Sequence, residues 1–238
     1  MKDKLYSKPL VKISPFAFDK RVARVFGDMI GRSVPGYSDI IRMSGILAAG
    51  HVKPRTRVYD LGCSLGAASQ AVFDSVPLPF DLVAVDSSSA MIDRARTLLK
   101  PHSKANLKLE CARIQEMKIR SASFVMLNFV LQFIPKSERL PLLKKICSGM
   151  LRGGALMISE KIDFKDPAER EKQRALHEEF KRAQGYSKLE ISQKRTALEK
   201  VLIPETFEVH RLRLKKAGFR HVYVWFRCFN FISMLAVK

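Results

Sequence analysis

Between Tyr59 and Ala67 the chain reads Tyr-Asp-Leu-Gly-Cys-Ser-Leu-Gly-Ala, and no other stretch narrows the available folds as much. An apolar run, Thr56–Leu61, enters the glycines, and a helical pattern leaves them over Ala67–Val72. This is a strand–turn–helix junction, where the first helical N–H groups lack partners in the helix and face whatever covers the turn. Gly62 permits the turn, and Gly66 is expected to let the backbone approach a ligand. Twenty residues past Gly66, Asp86 closes a second apolar run, Phe80–Val85. A carboxylate there can accept hydrogen bonds from both hydroxyls of a ribose, so the pairing indicates a bound nucleoside. The plain alternative for Asp86 is a helix cap or a surface-turn acid. Asp60 is either a second polar partner for the ligand or a turn-former. Cys63 reads as a small, close-packed residue that turns its backbone to the ligand, not as a nucleophile.

Three ligand classes compete for such a loop. A dinucleotide site wants glycine where Ser64 stands, so that pyrophosphate can reach the backbone. A P-loop requires a following Gly-Lys-Ser/Thr, which is missing. Gly62-Cys63-Ser64-Leu65-Gly66 also satisfies the Gly-x-Ser-x-Gly hydrolase pattern, but in that fold several strands precede the nucleophile and here only one can. S-adenosylmethionine, with an adenosine and no phosphates, fits best.

The rest of the chain alternates short β-branched runs with helical patterns, predicting an α/β fold with a mostly parallel sheet. A helical lead over about residues 17–50 has Ser38 as a candidate N-cap and Ile40, Met43 and Leu47 on one face. Ser88 caps a helix whose inner stripe is Met91, Ala95 and Leu98. A third strand lies near Asn106–Glu110. The fourth, Ser123–Leu127, is apolar on both faces, as a central strand covered by helices should be. A helix carrying Leu140, Leu143 and Ile146 leads to Gly153-Gly154 and a fifth strand, Ala155–Ser159. Two helices are then inserted over about residues 166–203. Asp166-Pro167-Ala168-Glu169 starts the first, and the capping box Ser187-Lys188-Leu189-Glu190 starts the second after Gly185. A further helix ends around Gly218. The last strands, His221–Cys228 and Phe231–Val237, are too close for a crossover and should pair antiparallel at the sheet edge.

With 47% hydrophobic residues, the 238-residue chain can bury a full core, and one domain spanning 1–238 is expected. No stretch reaches the roughly 20 apolar residues of a membrane span, and the basic N-terminus lacks the apolar core of a secretion signal. Cys63, Cys111, Cys147 and Cys228 are scattered, without Cys-x-x-Cys spacing, as reduced thiols of a cytoplasmic protein would be. His51, His102, His177, His210 and His221 have no metal-like spacing and receive no role, so no metal is expected. The net charge of +20 divides into +9 over residues 1–120 and +11 over 121–238. Such a field attracts RNA or small polycarboxylates, but an even spread equally describes solvated lysine and arginine faces.

The glycine turn, Asp86 and the final antiparallel pair resemble class I methyltransferases, with their Rossmann-like, mostly parallel seven-stranded sheet and antiparallel last strand. Longer blocks resemble the carboxy-S-adenosyl-L-methionine synthase family: Arg32-Ser33-Val34-Pro35-Gly36-Tyr37-Ser38, Val58 through Ala67, Leu127-Asn128-Phe129 and Phe180-Lys181-Arg182-Ala183. So do Gly185-Tyr186-Ser187-Lys188-Leu189-Glu190-Ile191-Ser192-Gln193-Lys194-Arg195 and Trp225 through Phe231. The resemblance runs from about Phe16 to the end. It implies an enzyme that takes a carboxyl group from prephenate onto the sulfonium methyl of S-adenosylmethionine, releasing phenylpyruvate and water. It implies a homodimer whose product serves a second enzyme acting on the tRNA wobble uridine, so that tRNA is met only indirectly. It assigns the cofactor to Tyr37, Gly62, Cys63, Ser64, Asp86, Ser87, Arg113, Ile114 and Asn128. Arg195 is the residue that grips the new carboxylate, for which a guanidinium fork is suited.

Taken without the motif, Arg195 is a solvated residue of an amphipathic helix and Asn128 closes a loop. Two positions depart from the family. Arg113 stands where an aspartate binds the adenine amine and cannot accept that hydrogen bond, leaving Glu110, Glu116 or the backbone to do so. Ser87 stands where asparagine is usual. An ordinary methyltransferase, or a non-catalytic S-adenosylmethionine- or tRNA-binding protein, is the competing expectation.

Overall fold

Ala122 through Leu127 are wholly buried, and this strand sits in the middle of the sheet. The computed structural model describes all residues, Met1–Lys238. In chain order the elements are α1 (Lys20–Ser33), α2 (Tyr37–His51), β1 (Arg57–Leu61), α3 (Ala67–Ser75), β2 (Phe80–Asp86), α4 (Ser89–Leu98), β3 (Ala105–Cys111) and β4 (Ala122–Asn128). After a short 3-10 turn at Leu131–Phe133 come α5 (Lys136–Gly149), β5 (Met150–Asp163), α6 (Pro167–Ala183), α7 (Lys188–Leu198), β6 (Glu205–Thr206), α8 (Phe207–Ala217), β7 (His221–Cys228) and β8 (Phe231–Val237).

The strand order is β3-β2-β1-β4-β5-β8-β7, with the two-residue β6 pairing only with β5. β1, β2, β3, β4 and β5 are mutually parallel, while β8 runs antiparallel to both β5 and β7. Successive side chains of β4 enter different cores, as strand periodicity demands. Val125 and Leu127 join Leu143, Ile146 and Leu214 on one face. Phe124 and Met126 join Ile40, Val72 and Phe80 on the other. Chain direction across the sheet reverses between β1 and β4, which opens a crevice at their carboxyl ends.

Most predicted elements are present, and the differences have local causes. The helical lead is two helices, broken at Val34-Pro35-Gly36. Gly36, not Ser38, occupies the N-cap of α2, at φ 69°, where a side chain would strike the Phe226 ring. Leu98 is exposed; α4 ends there, and Leu99, in extended backbone, turns inward instead. The third strand is a full seven residues, the fifth runs from Met150 to Asp163, and β6 was unforeseen. Asp166 caps α6 through the N–H groups of Ala168 and Glu169, but Glu169 reaches Arg227 rather than back to its cap. The Ser187–Glu190 capping box is complete.

Residues ahead of α1, given no role from sequence, strap α7 to α1. Gln193 donates to the carbonyls of Tyr6 and Lys8 and accepts from the Leu10 N–H. Buried Asp3 accepts from the Tyr186 hydroxyl at 2.7 Å, and its N–H donates to Asp28.

Fully buried Arg139 ties the turn after β4 to the approach to α8. It donates to the carbonyls of Ile134, Gln132 and Ile203 and pairs with Glu205, which also holds Arg213. Removing it takes the side-chain donor from the Ile134 and Ile203 carbonyls and leaves the Glu205 carboxylate with Arg213 alone. Arg139→Ala should therefore lower stability by about 3–5 kcal/mol in urea unfolding.

Candidate active site

The loop after β1 is shaped by left-handed residues: Gly62 and Gly66 at φ 84° and Ser64 at 49°. A side chain on Gly62 would collide with Val130, and one on Gly66 with Leu99. Gly66 is therefore required by backbone conformation and packing, and it does not line the cavity; the expectation that it admits a ligand is corrected. Asp86 stitches the loop to β2. One carboxylate oxygen accepts from the Ser64 N–H and the other from the Ser88 N–H, both at 2.9 Å. Each oxygen keeps a second acceptor direction, so the turn-former and ligand-binding readings of Asp86 are compatible.

Over these carboxyl ends lies a cavity of about 720 Å³. Tyr37, Gly62, Cys63, Ser64, Asp86, Ser87, Arg113, Ile114, Asn128 and Arg195 all line it, so the residues that the family resemblance assigns to the ligand open onto one space. Asn128 is the first polar residue at the end of β4. Its Oδ1 accepts from the Ser159 hydroxyl at 2.9 Å, while its Nδ2 has only a long contact, 3.5 Å, with Ser44. Phe129 follows at φ 60°, its N–H held at 2.6 Å by the Ser159 carbonyl. Glu160 fixes the next turn, accepting the N–H groups of Leu131 and Gln132 at 2.8 and 2.9 Å.

The walls are electrically polarised. Asp60, whose Oδ2 accepts from Ser69 at 2.6 Å, is pushed up to about 6 by burial, opposed by that hydrogen bond and reinforced by Asp86. Asp86 is raised as well, by burial acting against its two backbone donors. Burial, with both carboxylates adding, drives the Cys63 thiol far up, which removes it as a nucleophile. Beyond Asn128 the wall turns basic, with Lys161, Arg174, Lys181, Lys194 and Arg195. Arg195 donates to Glu178 at 2.9 Å and is half-exposed.

Several of these residues escaped the sequence reading. His177 lines the cavity, bonded to the Ser33 carbonyl at 2.8 Å and held down to about 3 by burial and by Lys181 and Lys161, hence neutral. Lys161 and Glu160 could have been noticed as polar residues ending an apolar strand, the signal that drew attention to Asn128. At the adenine end neither Glu110 nor Glu116 lines the cavity; Gln115 does. Its Nε2 donates to Glu138 at 2.8 Å, leaving its carbonyl oxygen as the free acceptor, while Arg113 leans out toward Glu138 and Glu116 at 3.6 and 3.9 Å. No group of three His, Cys, Asp or Glu side chains could hold a metal ion, and no helix is long and apolar enough to cross a membrane.

A glycine turn after β1, an acid ending β2, a crevice at the β1/β4 reversal and an antiparallel β8 define a class I methyltransferase fold. Residues 58–154 match a methyltransferase domain model. Solved neighbours agree in fold. A putative O-methyltransferase from Nostoc punctiforme superposes with a TM-score of 0.62 at 14% identity, covering 92% of this chain and 59% of that one. Magnesium protoporphyrin IX methyltransferase from Synechocystis superposes at 0.59 and 15% identity, covering 88% and 87%. Sequence relatives are far nearer. The carboxy-S-adenosyl-L-methionine synthases of Trichlorobacter lovleyi and Geobacter metallireducens are each 52% identical over 99% of this chain and 98% of their own. That of Aliivibrio fischeri is 48% identical with the same coverage. The chain belongs to the carboxy-S-adenosyl-L-methionine synthase family.

Because the folded-state value of Asp60 lies above its unfolded value of 3.8, the native protein holds a proton the unfolded chain gives up. Stability from this group is complete below pH 3.8 and is lost as pH rises through about 6. At pH 7.5 the loss is on the order of 3 kcal/mol. Asp60→Asn should therefore gain stability over the unsubstituted protein as pH climbs from 4 to 7.5 in ligand-free thermal unfolding, while binding S-adenosylmethionine more weakly.

Proposed function

We propose that the protein makes carboxy-S-adenosyl-L-methionine from S-adenosylmethionine and prephenate. The observation that carries this is Arg195, which opens onto the same cavity as the nucleoside loop and whose protein partner is the single carboxylate of Glu178. Plain methyl transfer has no use for a guanidinium there; a carboxyl group built onto the sulfonium methyl does.

In this reading the ribose hydroxyls meet Asp86, and Asp60 faces the cationic methionyl end. The positive sulfur acidifies its methyl group by stabilising an adjacent carbanion. As prephenate aromatises, its ring carboxyl leaves as CO₂ and its ring hydroxyl leaves as hydroxide. The hydroxide takes the methyl proton and becomes water, the methyl carbon bonds the CO₂ carbon, and phenylpyruvate remains. One carbon–carbon bond is broken and one made, with no oxidant or reductant. The protein need not supply a base, in keeping with a neutral His177 whose value of about 3 makes it a poor proton acceptor. Its contribution is confinement and alignment, since water would quench the carbanion and CO₂ would escape.

Gln115 takes over the adenine contact that Arg113 cannot make, with its carbonyl accepting from the exocyclic amine and Glu138 fixing the orientation of the amide. The wider setting is that of the family resemblance: a cytoplasmic homodimer, needing no metal, whose product serves a separate enzyme of tRNA wobble-uridine modification.

Incubated with S-adenosylmethionine and prephenate, the purified protein should yield a species one carboxyl group heavier than S-adenosylmethionine by mass spectrometry. Arg195→Ala should reduce that yield by at least about a hundredfold, as loss of a charge-assisted pair at the reacting group does. Unmodified S-adenosylmethionine alone would refute the proposal. Gln115→Leu should weaken S-adenosylmethionine binding by roughly three- to tenfold in calorimetry.

A further inference from the structure

Arg195 does not exhaust the positive charge of its wall. Lys161 stands at the end of β5, two residues past the Ser159 that pairs with Asn128. Lys181 lies in the last turn of α6 and Lys194 on α7, and all three line the cavity. Lys194 is already engaged, donating to the Ser33 hydroxyl at 3.0 Å and lying 3.7 Å from Asp3. The ammonium groups of Lys161 and Lys181 have neither a hydrogen-bond acceptor nor an ion-pair partner in the protein, although both side chains are half-buried. Of the cavity-lining acids on this side, Glu178 is spent on Arg195 and Glu199, at the end of α7, forms no ion pair with either lysine.

That surplus has an electrostatic cost. Burial, then Lys161, Lys194 and Arg195, hold Lys181 down to about 8, against the opposing pull of Glu178. Lys161 is lowered by burial too, with Glu178 and Asp163 opposing. Buried cations are normally paired, and an arriving anion would relieve this pair. Position matters as much as charge. β5 lies two strands from β1, so Lys161 stands on the order of 10 Å across the sheet from the loop after β1. A separation of that kind puts Lys161 across the cavity from the loop that would hold the nucleoside, with Lys181 lining the same cavity, on the side left for a donor.

We propose that Lys161 and Lys181 form a second carboxylate subsite, distinct from Arg195, which holds the carboxylate that the donor keeps. The inference rests on the carboxyl-transfer reading above and specifies its substrate class. The donor is a compact dicarboxylate with one carboxyl at Arg195, where it is passed to the methyl carbon, and the other gripped by the two lysines throughout. Prephenate meets this requirement, and phenylpyruvate, the monocarboxylate left behind, would stay bound through the same lysines until release.

The test uses Lys161→Gln, Lys181→Gln and the double variant beside Arg195→Gln. At saturating S-adenosylmethionine, each single lysine variant should raise the KM for prephenate by about tenfold. The inhibition constant of phenylpyruvate should rise in parallel, with kcat moving much less. Affinity for S-adenosylmethionine and its carboxylated product should stay unchanged, which also reports intact folding. Arg195→Gln should do the opposite, weakening the carboxylated product and sparing phenylpyruvate. Lysine variants with unaltered KM and phenylpyruvate inhibition would overturn the subsite even if the enzyme turns over normally. Should the unsubstituted protein make no carboxylated product, the synthase reading fails, and calorimetric titration of its S-adenosylmethionine complex with phenylpyruvate decides the subsite separately. Binding lost in the lysine variants alone supports it; binding that survives them, or no binding to the unsubstituted protein, overturns it.

Discussion

The complete burial of β4 is the constraint from which the site follows. A strand covered on both faces tolerates a polar side chain only where it is paired, as the Ser123 hydroxyl is with Thr56, and the larger polar group stands at its end. There Asn128 emerges, anchored by Ser159 on the neighbouring strand. Because β1, β2, β4 and β5 are parallel, their carboxyl ends lie along one edge of the sheet. Asp60, Asp86, Asn128 and Lys161 thus occupy a row that no single segment of sequence contains.

Along that row the charge changes sign. The acids at β1 and β2 suit a ligand that is positive at its ammonium and sulfonium and hydroxylated at its ribose. The cations contributed by β5, α6 and α7 suit an anion. Both halves are desolvated: burial raises Asp60 and lowers Lys181, so the charged form of each carries a cost. Strain of this kind is typical of a site built for ligands that neutralise it. The N-terminal strap reinforces the basic half, since Asp3, Tyr186 and Gln193 hold the helix that carries Lys194 and Arg195.

Much of this was legible in the sequence because the signals were local. Ser187 and Glu190 form a capping box by spacing alone, and the strand-then-glycine pattern at Tyr59–Gly66 admits few backbones. The last strands, His221–Cys228 and Phe231–Val237, match their expected limits. Local signals failed where a distant partner decides the outcome. Gly36 is set by the Phe226 ring and Gly66 by Leu99, contacts that no periodicity encodes. Lys161, Lys181 and His177 read as ordinary residues until β5 and α6 bring them together. Gln115 matters only because Glu138 fixes its amide and Arg113 faces outward.

The most direct trial of the account is a crystal structure with carboxy-S-adenosyl-L-methionine bound. It predicts the ribose hydroxyls on Asp86 and the added carboxylate on the Arg195 guanidinium, with the Arg195–Glu178 pair broken to receive it. A bound ligand whose carboxylate points to solvent, with Arg195 still paired to Glu178, would contradict it.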